Sequence, residues 1–182
     1  MEWSKNMASI IGKEPKEKAV NVTDTEWVEH SQGLKDVIQS ARSVLRKADK
    51  KVYINSDFPI SELYDELQLL VDRNVEVYIF GFYELGKVPL GVNIFSHEHK
   101  MKIDHVCTRL LIAVDEQEVF LAESYGNKVE WRGTRTNNEL MVKIVCEHIH
   151  NDIYLLLIRE KAGRDLYDEV DMHNKMARKR WL

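Results

Sequence analysis

The sequence predicts an α/β domain, a sheet with flanking helices. Three observations carry this expectation. Apolar residues between positions 34 and 48 recur with the 3.6-residue period of an amphipathic helix. Residues 51–57 and 75–81 are short β-rich runs on either side of a second helical stripe. Two further apolar runs, 110–114 and 119–122, flank a polar four-residue turn.

The elements follow in order. Residues 1–24 mix charges with a weak apolar cluster (Trp3, Met7, Ile10, Ile11) and are read as an N-terminal arm or linker. From Gly33 on, Leu34, Val37, Ile38, Ala41, Val44, Leu45 and Ala48 share one helix face, and Lys35, Gln39, Arg42 and Lys47 fill the other. After the run at 51–57, Asp57 is placed to cap the next helix, which takes Pro59 in its first turn. Ile60, Leu63, Tyr64, Leu67, Leu70 and Val71 form that helix's stripe, and Asn74, tolerant of left-handed backbone, ends it. Strand, helix and strand at this spacing make a βαβ unit with parallel strands and a right-handed crossover. Residues 82–106, punctuated by Gly86, Pro89 and Gly91, read as an irregular excursion, and 127–135 as turn-rich. A long helix is predicted from Asn137, where Met141, Val145, Ile149 and Ile153 form an i, i+4 track with Ile144 and Leu156 beside it. The domain is thus placed at 25–158. Residues 159–182, highly charged with spaced Leu166, Val170, Met176 and Trp181, read as an exposed or partner-seeking helical tail.

Composition narrows the function. A chain of 182 residues has room for one sizeable core. With 44% hydrophobic and 31% charged residues, 8 Gly and 3 Pro, it is neither collagen-like, low-complexity nor wholly disordered. A formal net charge of -4 provides no global positive field to hold DNA or an acidic membrane. Cys107 and Cys146 are too few for a disulfide framework, and no stretch approaches the roughly 20 apolar residues of a membrane span. The N-terminus lacks a signal-peptide hydrophobic region, so a cytoplasmic location is expected.

Several segments together carry a family resemblance. They are Gln39-Ser-Ala41 leading into Val52-Tyr-Ile54, the step Arg73-Asn-Val-Glu-Val77, Leu111-Ile-Ala-Val-Asp115 with its following strand, Gly133-Thr-Arg-Thr-Asn137, and the closing segment from Leu140 to Tyr154. Over residues 25–158 this order resembles the C-terminal effector domain of the TrmB family of bacterial and archaeal transcriptional regulators. The resemblance implies a phospholipase-D-like fold that binds a small-molecule effector or a partner subunit. It also implies a homodimer, and contact with DNA only through a winged-helix domain that is not read in this chain. The extra sugar-binding subdomain of the sugar-responsive members is not read either.

Active enzymes of the phospholipase-D-like fold use His-x-Lys-x4-Asp, in which the histidine attacks phosphorus and the lysine stabilises the phosphoryl oxygens. Counting back from Asp115, those positions hold Thr108 and Leu110, which replace neither group, so no catalysis is expected and Asp115 is read as a turn residue. His97, His99, His105 and Cys107 are donors that zinc accepts, but their spacing matches no structural zinc pattern, and no metal or cofactor is expected. His148 and Asp152, four apart, share a helix face and predict a surface pair or a helix-packing contact, whereas His150 lies off it. Lys175, Arg178, Lys179 and Arg180 read as a solvated basic tip.

The candidate ligand site lies where the two parallel strands end, the place where open α/β sheets form their crevice. There Asn55, Ser56 and Asp57 are expected to meet Phe82, Tyr83 and Glu84. Amide, hydroxyl and carboxylate groups beside aromatic faces suit a polar, polyhydroxylated small molecule. The competing reading is a stand-alone dimerisation or protein-interaction module of the same fold without a ligand, in which Asp57 only caps a helix.

Overall fold

The computed structural model describes residues 25–57, 59–81, 85–96, 107–125 and 130–162, so the arm at 1–24 and all of the tail after residue 162 lie outside the described residues. Its elements are β1 (Val28–Gln32), α1 (Leu34–Arg46), β2 (Lys51–Ser56), a 3-10 turn (Ser61–Leu63) running into α2 (Tyr64–Asp72), β3 (Glu76–Gly81), β4 (Asn93–Ser96), β5 (Cys107–Val114), β6 (Glu118–Tyr125), β7 (Trp131–Thr136) and α3 (Glu139–Ala162). The strands form one seven-stranded sheet in the order β1-β7-β6-β5-β2-β3-β4.

The expected βαβ unit is present: β2 and β3 are parallel, with Val52 beside Val77 and Ser56 beside Gly81. Asn74 ends the intervening helix with a φ of 58°, in the left-handed region. β5 and β6 form the expected hairpin, antiparallel from Cys107 beside Tyr125 to Val114 beside Glu118.

Three strands differ from the sequence reading. β4 lies inside the supposed excursion and extends the parallel half at its edge. β7 occupies most of the supposedly turn-rich stretch and pairs antiparallel with both β6 and β1. Its Gly133 is demanded by packing, since a Cβ there would lie 2.8 Å from the Phe120 ring and would also meet the Ser31 hydroxyl. β1 is an exposed edge strand of polar sequence that lacks the alternation of a half-buried strand. Asp57 caps nothing: the turn at Ser61 and the helix at Tyr64 start without side-chain cap bonds, and Asp57 pairs with Arg109 instead.

Alternation along the strands divides the core in two. Val52, Ile54, Leu110, Ile112 and Phe120 pack under α1 and α2. Buried Glu66 ties those two helices together, its carboxylate 2.7 Å from Arg46 and 3.6 Å from Arg42. On the other face Tyr53, Phe80, Leu111, Ala113 and Val119 pack against α3 through Val142, Val145, Cys146, Ile149, Ile153 and Leu156. The buried track of α3 is therefore rotated from the predicted one, and Met141 and Ile144 are exposed.

One carboxylate joins the start of β2 to the hairpin. Asp115 accepts hydrogen bonds from the backbone N–H groups of Asp49 (2.8 Å), Lys50 (2.9 Å) and Lys51 (2.8 Å). Asp115 and Glu116 have φ values of 52° and 56°, the successive left-handed residues that a tight hairpin of matching twist requires. Burial opposes ionisation of Asp115, but the bonds from Asp49, Lys51 and Lys50 outweigh it and hold the carboxyl below the usual aspartate value. Asp115→Asn keeps a residue that tolerates left-handed backbone and removes the charge, and it is expected to cost about 1–3 kcal/mol at neutral pH. Because the folded pKa lies below the unfolded one, this stabilisation is complete above the unfolded value and is lost as pH falls through the folded one. Urea unfolding between pH 2 and pH 7, values that span roughly the aspartate range, is expected to show a shallower acid limb for the variant. An equally steep limb would contradict the assignment.

Candidate functional site

The register of the sheet builds a row of alternating charge on the α3 side. Arg109 of β5 lies beside Glu123 of β6, Glu123 beside Arg132 of β7, and Arg132 beside Gln32 of β1. At the inner end the Asp57 backbone N–H donates to the Arg109 carbonyl, and the Arg109 guanidinium sits 3.0 Å from the buried Asp57 carboxylate. Opposite charges on neighbouring strands stabilise such a row, to which β5, β6 and β7 each contribute one charged residue and β1 the neutral Gln32.

Above the inner end lies α3. Asn55 donates from Nδ2 to Asp152 Oδ2 at 2.6 Å, and His148 Nε2 is 3.6 Å from the same oxygen. The helix pair expected from sequence is thus a contact that locks α3 to β2. His150 packs edge-on against Tyr53, with ring centroids 4.4 Å apart. Burial pushes the Asp152 carboxyl above the ordinary aspartate value; His148, the Asn55 bond and Arg109 pull it back, and Asp57 adds to the rise. Burial also pushes the Cys146 thiol up to about 11, which keeps it protonated and unreactive.

The outer end of the row opens into a groove of about 870 Å³ across β5, β6, β7 and β1. His30, Arg109, Glu123, Arg132 and Thr134 supply its polar groups, and Leu111, Leu121 and Met141 its apolar ones. Two guanidinium groups, a carboxylate, an imidazole and a hydroxyl around an apolar floor can hold a polar molecule that carries an anionic oxygen.

Of the residues proposed from sequence, Asn55, Ser56 and Asp57 are buried at the C-terminal end of β2, next to the end of β3. Phe82, Tyr83 and Glu84 lie outside the described residues, as do His97, His99 and His105, the Cys107 side chain, and the basic tip. Among the described residues, no group of three or more His, Cys, Asp or Glu is arranged to hold a metal ion. No helix among them is long and apolar enough to cross a membrane. Sequence reading missed Arg109, Glu123 and Arg132. The available signal was one charged residue at an alternating position of each strand, and it acquires meaning only with the register.

The class defined by this sheet and its three helices is the phospholipase-D-like fold. Among solved structures the chain is similar to TrmBL2, an archaeal chromatin protein with a novel mode of DNA binding. The TM-score is 0.52 and the identity 18%, over 82% of this chain and 57% of that one. It is also similar to NucT from Helicobacter pylori, with a TM-score of 0.53 and 14% identity over 70% of this chain and 97% of that one. The chain therefore spans little more than half the length of TrmBL2. No protein-family model matches it, and no curated protein matches it by sequence.

The raised Asp152 pKa has a testable sign. Its ionisation costs stability, so its contribution is most favourable below the unfolded pKa and is lost as pH rises through the folded one. Asp152→Asn is expected to gain stability relative to the parent as pH rises from about 3, below the ordinary aspartate value, to about 7. Paired denaturation curves at the two pH values check this. A relative loss on going to neutral pH would refute it.

Proposed function

We propose that this chain is the effector domain of a TrmB-like transcriptional regulator: a non-catalytic, homodimeric, cytoplasmic module. In this reading it binds a polar small molecule in the groove beside Arg132 and signals to a DNA-binding domain outside this chain. The observation that carries the reading is the state of the three positions where a phospholipase-D-like enzyme keeps its chemistry. Leu110 stands at the lysine position, fully buried in the core under α1 and α2. Thr108 stands at the histidine position, beside Ser124 of β6. The Asp115 carboxylate is committed to three backbone N–H groups. With no imidazole nucleophile there, the covalent route lacks its first step. The likeness in fold to TrmBL2 supports a regulator, and the net charge of -4 supports DNA contact through another domain.

The groove supplies the ligand half of the reading. Arg132 is exposed and lines the groove, which leaves its guanidinium open to a ligand oxygen. Thermal-shift and calorimetric titrations with sugars, sugar phosphates and nucleotides are expected to find a ligand that raises the melting temperature, because binding only the native state stabilises it. Arg132→Ala is expected to abolish that shift while costing the unliganded protein no more than the roughly 0.2–1 kcal/mol of an exposed cross-strand pair. A response abolished by Tyr83→Ala but not by Arg132→Ala would move the ligand to the ends of β2 and β3. No response to any of the panel would favour the interaction module. A chromogenic phosphodiester is expected to remain intact, and turnover above a heat-denatured control would overturn the non-catalytic reading.

A further inference from the structure

Helix α3 is apolar on two opposite sides. One side is the track buried against the sheet, centred on Val142, Ile149 and Leu156. On the other, Leu140, Ile144, Tyr154 and Ile158 are 65%, 49%, 59% and 55% exposed, with Met141 and Leu155 also exposed beside them. Large apolar side chains at contiguous exposed positions mark an interaction surface. Positions 140, 144, 147, 151, 154 and 158 follow the alternating spacing of four and three residues that forms a coiled-coil seam. Exposed Glu147 and Asn151 occupy its two central positions.

This seam reads the same from either end: two apolar residues, two polar residues, two apolar residues. We propose that it is an isologous contact with a second copy of this chain, the two α3 helices lying antiparallel across a two-fold axis that crosses the seam midway between Glu147 and Asn151. Leu140 then meets Ile158 of the second copy and Ile144 meets its Tyr154. Glu147 meets its Asn151, whose amide donates to the carboxylate, and symmetry repeats each pair. A parallel arrangement places Glu147 against Glu147, a like-charge pair in a partly desolvated seam. A different protein has no reason to match the pattern in both directions. The contact rests on the homodimeric reading proposed above, lies on the described part of α3 and not on the tail, and is independent of whether the groove takes a ligand.

Sedimentation equilibrium of the full chain is expected to show a monomer–dimer equilibrium. Ile144→Glu or Ile158→Glu is expected to weaken it about tenfold or more. Both sites are exposed, so the far-ultraviolet circular dichroism is expected to stay at the parent value, and so is the melting temperature at concentrations low enough for the parent to be monomeric. Asn151→Lys distinguishes the geometries: in the antiparallel seam each lysine meets Glu147 of the other copy, and the dimer tightens about three- to tenfold at low salt. In a parallel seam lysine meets lysine and the dimer weakens. Weakening by Asn151→Lys, insensitivity to Ile144→Glu, or a monomer at every concentration because the tail or another protein covers the face would each overturn the proposal.

Discussion

What the sheet can present depends on the alignment of β2 against β5, and that alignment is clamped at both ends. At one end Asp115 gathers the backbone N–H groups of Asp49, Lys50 and Lys51; at the other Asp57 pairs with Arg109. Between the clamps, Val52 lies beside Val114 and Ser56 beside Leu110. A slip of one residue would turn Ile112 out of the α1 and α2 core and Arg109 into it, because strand side chains alternate between faces. This register seats α3 over β2 and brings Arg109 to Asp57, the inner end from which the pairings of β5, β6, β7 and β1 extend the charged row.

The two aspartates at the centre of this arrangement do opposite work. Asp115 is stabilised as an anion by backbone dipoles, whereas Asp152 is held in surroundings that resist its ionisation. The first fixes the scaffold, and the second joins α3 to β2 through Asn55. Their difference lies in the number of N–H groups that meet each carboxylate, an illustration of how one residue type serves two ends on one fold.

Much of this frame was legible in the sequence. The helical period from Leu34 to Ala48, the step from α2 through Asn74 into β3, and the hairpin around Asp115 each rest on local rules that a short window contains. The missed strands rest on distant ones. β1 and β4 are short edge strands whose mostly exposed residues lack the alternation of a half-buried strand, and β7 is obscured by a glycine explained only by Phe120 and Ser31 on the neighbouring strands. Asp57 was assigned to the nearest helix because its actual partner, Arg109, stands 52 positions later. The rotation of α3 has a related cause. A helix apolar on two sides does not declare from periodicity alone which side faces the core. The candidate site was legible to the extent that β2 and β3 are parallel and end together; the groove was not, because it is made of four strands that become neighbours only in the folded sheet.

The position of β1 has a consequence for the order of assembly. Its neighbour in the sheet arrives late in the chain: the Thr136 hydroxyl donates to the Trp27 carbonyl across 109 positions, and the Trp27 N–H donates to Asn137 across 110. The βαβ unit and the hairpin close short loops, whereas the pairing of β1 with β7 closes a much longer one at a greater cost in loop entropy. First in the chain among these strands, it can pair only once β7 has been made. His30 and Gln32 belong to it, so one wall of the groove is built by the strand pairing that spans the longest stretch of chain.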